Sequence, residues 1–264
     1  MRSAARVSGP RYHAKAHEAL RLKRLRLSLG ARSESWRCAA LAPSSEDLGA
    51  RQKLHWQQTY RAHPVMYGRE PSSAAVHAAR EFADACCDTV LDLGAGHGRD
   101  SVFFAHQGFT TYALDVSTVG LEQLREHAQA EGLSERVRTL EHDVRDPLPL
   151  PEGAVDGVFA HMLLCMALST AQISDLVAEV HRVLLPGGVF VYTVRHTGDA
   201  HYGAGTSYGD NIYEHGGFAV HFFDRALVDA LADGWRLDQV HEFDEGDLPR
   251  CLWRVTQTKP AHME

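Results

Sequence analysis

The segment VLDLGAGHGRD, from Val90 to Asp100, limits the fold of this chain more than any other part of the sequence. Its first residues have the pattern of a buried strand, and glycines follow directly at positions 94, 96 and 98. Glycine lets the backbone turn sharply after a strand and approach a ligand closely at the N-terminus of the next helix. The segment therefore predicts a cofactor-binding turn between a strand and a helix of an α/β fold.

The spacing around this turn indicates which cofactor it binds. A dinucleotide fingerprint requires its third glycine at position 99, where this chain has Arg99, so NAD and FAD are disfavoured. Asp92 within the strand is expected beside an amino group, and Asp115, which follows Gly98 by 17 residues, is expected at a ribose. S-adenosylmethionine (SAM) has both an amino-acid end and a nucleoside end and fits this pair of carboxylates.

Apolar patterns after Ser44 alternate between helices and strands, as expected for a mostly parallel α/β sheet. Seven strands are predicted, at 89–93, 110–114, 137–140, 157–161, 189–194, 236–243 and 252–256. Helices are predicted at 46–61, from Asp224 onward, and after the N-caps Ser72, Ser117 and Ser169. Residues 195–217 are predicted to form a long loop at the carboxyl ends of the strands, where such sheets bind ligands.

Composition indicates the number of domains and the cellular compartment. With 264 residues and 44% hydrophobic content, the chain is long enough for one domain with a full core. Its five cysteines form no C-x-x-C pair, which favours the reducing cytosol over a disulfide framework or a zinc knuckle. No apolar run approaches the roughly 18 residues that cross a bilayer, and no secretory signal is recognisable. We expect a soluble cytoplasmic protein without a membrane partner.

Charge separates a basic N-terminal segment from an acidic remainder. Residues 1–37 contain ten Lys or Arg and two acids, which leaves −15 on the rest of a chain whose net charge is −7. We expect 1–43 to be a basic, disordered extension and 44–264 to be the folded domain. The alternatives for the extension are an arm that contacts a partner or membrane and an organelle transit peptide. The acidic body argues against nucleic acid as a partner, because phosphate neutralisation dominates such binding.

Six sequence segments complete the pattern when they are taken in order. They are LDLGAGHGRDS, YALD, EHDVRD, VFAHMLLCMAL, HRVLLPGGVF and DEGDLPR. On these motifs, the stretch from about residue 60 to 259 resembles a class I SAM-dependent methyltransferase, most closely the tellurite-resistance (TehB-like) branch. The resemblance implies a three-layer Rossmann-like fold, with a seven-stranded and mostly parallel sheet whose last strand is antiparallel.

The resemblance also implies which residues bind the cofactor. The glycine turn would face its methionine part, and Asp115 would accept hydrogen bonds from both ribose hydroxyls. Asp143 would accept one from the adenine amino group, with Val144 beside the ring, and His161 with Met162 would lie near the sulfonium. Capping or packing roles are the alternatives for the two aspartates and the histidine. The full expected set is Asp92, Gly94, Ala95, Gly96, Asp115, Asp143, Val144 and His161.

Methyl transfer from SAM mainly needs an aligned acceptor, because the sulfonium already activates the methyl group. A thiol or a selenium or tellurium species would need no base, whereas a hydroxyl or amine would need a histidine or carboxylate within reach. Arg250 is the first catalytic candidate, since its planar cation suits an oxyanion or carboxylate; a surface ion pair is its alternative. Further candidates are His161, His196, Tyr202 and His221. His196, His201, His215 and His221 share one loop region but have no metal-ligand spacing, so no metal is expected.

The sequence also bears on the methyl acceptor and on the oligomeric state. The tellurite branch has a histidine where this chain has Pro249, so we expect a small organic acceptor or another soft-atom species. Trp56 and Tyr60 on the first helix would either cover the site or pack a core. The functional alternatives are a non-catalytic SAM-binding regulator or partner subunit, a macromolecular methyltransferase and a nicotinamide enzyme. A monomer or a weak homodimer is expected.

Overall fold

The structure is a computed structural model that describes residues 45–246 and 250–261, with side chains from residue 48 onward. The expected extension at 1–43 and Pro249 lie outside the described residues, and the division of the chain at residue 43 stays a prediction. Within the described part, no helix combines the length and the apolar character needed to cross a membrane.

The described residues contain six helices and ten strands. The helices are α1 (Ser45–Ala62), α2 (Ser73–Asp84), α3 (Arg99–His106), α4 (Thr118–Ala130), α5 (Thr170–Val183) and α6 (Arg225–Leu231). The strands are β1 (Thr89–Leu93), β2 (Thr110–Asp115), β3 (Val137–Glu141), β4 (Val155–His161), β5 (Leu184–Arg195), β6 (Thr206–Gly209), β7 (Ile212–His215), β8 (Phe218–His221), β9 (Arg236–Glu245) and β10 (Arg250–Thr258). All seven predicted strands are present, and β5 begins earlier than predicted.

Seven strands form one sheet in the order β3-β2-β1-β4-β5-β10-β9. The pairs β1–β2, β1–β4, β2–β3 and β4–β5 are parallel, whereas β10 is antiparallel to both of its neighbours. This confirms the predicted mostly parallel sheet with an antiparallel last strand. The strand order reverses between β1 and β4, and ligands of open α/β sheets bind at such a reversal, beyond the carboxyl ends of the strands.

Helices cover both faces of this sheet and give the three predicted layers. On one face, Ile173 and Val180 of α5 pack into the core cluster that contains Phe190 of β5. On the other face, Phe82 of α2 packs beside Val90 of β1 in a second cluster. Because the central strands are buried on both sides, their sequences are nearly continuous apolar runs, as expected for parallel strands.

The predicted N-caps are confirmed. The side chains of Ser72, Ser117, Ser169 and Asp224 accept hydrogen bonds from the backbone N–H groups of Ala75, Gly120, Gln172 and Leu227 respectively. At α5 the side chain of Gln172 also bonds back to the backbone of Ser169, which completes a capping box. These caps set the start of four helices and thereby the lengths of the loops between strands and helices.

The prediction of one long loop at 195–217 was wrong, because β6, β7 and β8 form a separate antiparallel sheet there. Asp210 and Asn211, between β6 and β7, both have positive φ, at 50° and 55°. Gly216 and Gly217, between β7 and β8, have φ of 61° and 87°. Two central residues with positive φ are what a tight hairpin turn requires, and Gly-Gly is a sequence signal for it. The pair Gly216-Gly217 is that signal in this chain.

Helix α1 lies across this small sheet and the start of α4. Gln52 donates from Nε2 to the carbonyl of Gly217 at 2.8 Å. One turn further on, Oε1 of Gln57 accepts hydrogen bonds from the Ser117 hydroxyl at 3.1 Å and from the backbone N of Val119 at 3.1 Å. Helix α1 therefore bridges the two sides of the region beyond the carboxyl ends of the strands.

Candidate active site

A cavity of about 660 Å³ lies at the carboxyl ends of β1, β2, β4 and β5, beneath α1 and beside the three-stranded sheet. Pockets of roughly 300–1,000 Å³ are typical of small-molecule sites. All eight residues expected at the cofactor line this cavity, namely Asp92, Gly94, Ala95, Gly96, Asp115, Asp143, Val144 and His161. The structure therefore brings together residues that span 70 positions of the sequence.

The glycine turn closes one end of the cavity. Gly94 and Gly96 have φ of 73° and 56°, a backbone region that residues with a Cβ rarely adopt. A Cβ on Gly96 would also overlap the hydroxyl of Tyr60, and its distance to Cζ of that ring would be 3.1 Å. The backbone N–H groups of Gly94 and Ala95 both donate to the carbonyl of Leu114, at 2.8 and 3.1 Å. The turn is thus tied to β2, and the side chain of Tyr60 packs directly against Gly96.

Asp115 is almost fully buried at the end of β2, with 8% of the residue exposed. Its Oδ2 accepts from the backbone N of Gly96 at 2.8 Å, and its Oδ1 accepts from the backbone N of Ser117 at 2.7 Å. Burial raises the pKa of Asp115, while these backbone donors oppose the rise. Each carboxylate oxygen can accept a second hydrogen bond. The carboxylate can therefore take two further donors, which fits the paired hydroxyls of a ribose.

A cluster of buried carboxyl groups lies beside the glycine turn. Asp92 is 2% exposed and accepts a hydrogen bond of 2.5 Å from the hydroxyl of Ser101. Burial, together with the nearby Asp100 and Asp115, raises the pKa of Asp92 to about 8. Asp100 in turn accepts from the backbone N and the hydroxyl of Ser72, at 2.7 and 2.9 Å. An ammonium group bound here would favour ionised Asp92, which fits the amino-acid end of the expected cofactor.

Asp143 is already engaged by a neighbouring cation. Arg145 donates from Nε to Oδ1 of Asp143 at 2.8 Å and from Nη2 to Oδ2. Burial alone would raise the pKa of Asp143, but the hydrogen bonds and the charge of Arg145 hold it below its ordinary value. The expected contact of Asp143 with an adenine amino group stays a prediction.

Aromatic side chains line the cofactor end of the cavity. Trp56 and Tyr60 of α1 stack with ring centroids 5.5 Å apart, and Tyr67 stacks on His97 at 5.9 Å. The guanidinium of Arg99 lies over the ring of Tyr67, 5.4 Å from its centroid. All five side chains line the cavity. Trp56 and Tyr60 therefore line the cavity, and the expectation that they cover it over an organic acceptor stays a prediction.

The far end of the cavity is built mainly by the three-stranded sheet and the segment before it. Its apolar lining includes Met162, Met166, Tyr213, Val220 and Phe222. Its polar lining includes Arg195 and His201. Nη2 of Arg195 lies 2.7 Å from Nδ1 of His201, and its Nε donates to Asp199 at 2.9 Å. Apart from Met162, sequence analysis did not place these residues at the site, because their positions depend on contacts between distant parts of the chain and, for Tyr213, Val220 and Phe222, on the unrecognised hairpins.

His161 and Arg250 meet at a residue that sequence analysis did not single out. Glu245 ends β9, with Oε1 3.5 Å from Nε2 of His161 and Oε2 3.8 Å from Nη1 of Arg250. All three residues line the cavity. Burial alone would raise the pKa of Glu245, but His161, Arg99 and Arg250 hold it below its ordinary value. The side chain is therefore a carboxylate at neutral pH, and it compensates the positive charge of Arg250.

The three remaining catalytic candidates are not among the residues that line this cavity. His196 stacks on Trp253 with ring centroids 4.5 Å apart. The hydroxyl of Tyr202 donates to Asn211 at 3.1 Å, and Nδ1 of His221 lies 2.8 Å from the carbonyl of Leu168. A catalytic role for His196 stays a prediction, and its position gives that role no support.

Comparisons with known proteins agree with this geometry. Residues 90–188 match a family model described as a methyltransferase domain. A sarcosine/dimethylglycine N-methyltransferase of Aphanothece halophytica is 32% identical over 105 residues, which are 39% of this chain and 36% of that protein. The chain thus spans about a third of the length of this curated relative.

Solved structures share the fold at low sequence identity. The 1,6-didemethyltoxoflavin-N1-methyltransferase of Burkholderia thailandensis, solved with S-adenosylhomocysteine (SAH), is 20% identical with a TM-score of 0.64, over 83% of this chain and 91% of that chain. The [4+2]-cyclase SpnF is 19% identical with a TM-score of 0.60, over 84% of this chain and 98% of that chain. Because one neighbour is a methyltransferase and another a cyclase, this likeness shows the fold and leaves the reaction to the site.

The sheet order, the glycine turn and the family match together define the class of this domain. Residues 90–188 match a methyltransferase domain and lie within a sheet of the class I SAM-dependent methyltransferase fold, and SAM is the cofactor that the site fits.

Proposed function

We propose that this chain is an enzyme that transfers the methyl group of SAM to a small organic acceptor. The observation that carries the proposal is the single cavity, in which the glycine turn and Asp115 lie at one end and an apolar, aromatic lining lies at the other. One end suits the cofactor and the other suits an acceptor. A cavity that holds both can align them for a direct transfer.

The cofactor would be held by residues at the first end. The turn at Gly94 and Gly96 permits close approach of its methionine part, the buried Asp92 offers a carboxylate near the amino group, and Asp115 accepts from the ribose hydroxyls. When bound, the cofactor supplies a methyl group already activated by a sulfonium. The protein's part is to orient the acceptor, to exclude water and to place any proton acceptor.

The lining of the far end supports an organic acceptor with an apolar body. Met162, Met166 and the rings of Tyr213 and Phe222 offer adaptable and flat apolar surfaces. The curated relative that acts on sarcosine and dimethylglycine and the neighbour that acts on a didemethyltoxoflavin are consistent with a small-molecule acceptor. Membership of the tellurite-resistance branch stays a prediction based on the sequence motifs.

Calorimetric titration with SAM, SAH and NAD tests the cofactor, and a coupled assay of SAH release tests turnover against a panel of acceptors. We expect micromolar binding of both adenosyl compounds, no binding of NAD, and SAH release with at least one small acceptor. Binding of NAD alone would overturn the assignment. Binding of SAM without turnover of any acceptor would favour the non-catalytic regulator instead.

The substitution Gly96→Ala tests the turn. The added Cβ would displace Tyr60. The alanine would also have a positive φ, which costs about 1–2 kcal/mol for a residue other than glycine. We therefore expect SAH binding to weaken about tenfold or more. Gly132→Ala is the matched control, since Gly132 has φ of 72° and nothing within 4 Å of an added Cβ. Equal loss of affinity in both variants would mean that backbone strain, and not the turn, is responsible.

A further inference from the structure

The ring of His161 has a partner near each nitrogen. Its Nδ1 lies 2.8 Å from Oγ1 of Thr193 on the neighbouring strand β5. Its Nε2 lies 3.5 Å from Oε1 of Glu245, which lines the same cavity. Which nitrogen carries the proton therefore decides whether His161 or Glu245 can take a proton from a bound acceptor.

Thr193 determines this tautomer. Thr193 is fully buried, and its hydroxyl oxygen already accepts from the backbone N of Met162 at 2.9 Å. A buried hydroxyl hydrogen needs an acceptor, and Nδ1 of His161 is the one that the described residues place within reach. Thr193 therefore donates to Nδ1, and neutral His161 carries its proton on Nε2, next to Glu245. In this state the imidazole is a donor and has no free lone pair for a substrate.

Glu245 is the remaining proton acceptor in this corner of the cavity. The charged or titratable groups around it are His161 on β4, Arg250 on β10, Arg99 on α3 and Tyr67 before α2. Two of them, Arg250 and Arg99, are cations, and neutral His161 faces Glu245 with an N–H, so all three favour the ionised form of Glu245. Its two oxygens hold only the long contacts to His161 and Arg250, at 3.5 and 3.8 Å, so lone pairs remain available.

We propose that Glu245 receives the proton of the methyl acceptor, that His161 is the residue that positions Glu245, and that the acceptor is a neutral N–H or O–H nucleophile. The proposal rests on the proposed methyl transfer and narrows its acceptor class. An acceptor that is already an anion, such as a thiolate, a selenium oxyanion or a tellurium oxyanion, has no proton for Glu245 to receive.

The chemical step balances without a further reactant. The lone pair of the acceptor's nitrogen or oxygen forms the new bond to the methyl carbon, and the carbon–sulfur bond breaks with its electron pair left on sulfur. The acceptor's proton passes to Glu245 and from there to solvent. As the nucleophile loses electron density it becomes more acidic, so a carboxylate that is a weak base beforehand can still take the proton.

Nitrogen-15 NMR of the histidine side chains tests the tautomer in the absence of a methyl donor. Spectra of the full chain with SAH would be recorded at pH 8, with the His161 signals assigned by comparison with His161→Gln. We expect a protonated Nε2 and an unprotonated Nδ1. A proton on Nδ1 would leave Nε2 free to act as the base, and this result would overturn the assignment to Glu245.

Kinetics test the proton transfer with Glu245→Gln and, as the matched control on the same strand, Glu242→Gln, whose side chain is 69% exposed. The acceptors are catechol, N-methylbenzylamine, benzenethiolate and selenite. We expect turnover of catechol or the amine, and a kcat that falls about 100-fold in Glu245→Gln but not in Glu242→Gln. With catechol, kcat should stay level down to about pH 6, because the pKa of Glu245 lies below its ordinary value.

Other outcomes separate the proposed methyl transfer from the proposed role of Glu245. If SAM and SAH do not bind, the proposed function fails. If they bind and benzenethiolate or selenite is the preferred acceptor, or if Glu245→Gln keeps its kcat, the methyl transfer stands and the role of Glu245 is overturned. The NMR result remains decisive for Glu245 when no compound of the panel is turned over.

Discussion

Asp115→Ala should weaken SAH binding about 5- to 150-fold, which corresponds to about 1–3 kcal/mol. The substitution removes the proposed acceptor for two ribose hydroxyls at a position where only 8% of Asp115 is exposed. It also leaves the backbone N–H groups of Gly96 and Ser117 without their partner, so the turn itself loosens. Calorimetric titration with SAH measures the loss directly.

Two further variants separate binding from folding. Asp175→Ala removes an exposed aspartate of α5 and should leave both SAH affinity and the unfolding midpoint unchanged. Asp115→Asn keeps one oxygen acceptor and should lose less affinity than Asp115→Ala. If Asp115→Ala unfolds at the wild-type urea concentration and binds SAH as tightly as the wild type, Asp115 does not belong to the cofactor site.

Most of the seven-stranded sheet could be predicted because the sequence signals of its strands and helices each lie within a few neighbouring residues. A buried strand such as β1 and the N-cap Ser117 are each recognisable within a few residues, and the glycine turn joins a strand to a helix with a fixed spacing. The parallel order then follows from the alternation of helices and strands. The hairpins at 206–221 were missed because a region rich in Gly, Tyr and His was interpreted as a loop, although Gly216-Gly217 marked a turn.

The acceptor end could not be predicted in the same way, because its residues depend on contacts between distant parts of the chain. Glu245 gains its role from His161, which precedes it by 84 residues, and from Arg250 on the antiparallel partner strand. His161 and His196 are equivalent as sequence signals, yet one lines the cavity and the other packs on Trp253. Periodicity identifies which face of a strand is buried; it does not identify which side chains meet beyond its end.

The Arg195–Asp199 pair illustrates how strongly burial changes the effect of an ion pair. The side chain of Asp199 is fully buried and accepts from Nε and Nη2 of Arg195. It also accepts from the backbone N of His201 at 2.8 Å and from that of Cys251 at 3.0 Å. These hydrogen bonds join the end of β5, the segment after it and β10 at the acceptor end of the cavity.

Asp199→Ala should lower the free energy of unfolding by about 3–5 kcal/mol, because it leaves a buried guanidinium and two backbone donors without their partner. Asp229→Ala is the matched control, since Arg225 and Asp229 have the same i,i+4 spacing but are 56% and 54% exposed. Asp229→Ala should lower the free energy of unfolding by only about 0.3–0.5 kcal/mol. Urea unfolding of both variants measures the difference. Equal losses would mean that water reaches Asp199 and that the acceptor end is more open than its packing indicates.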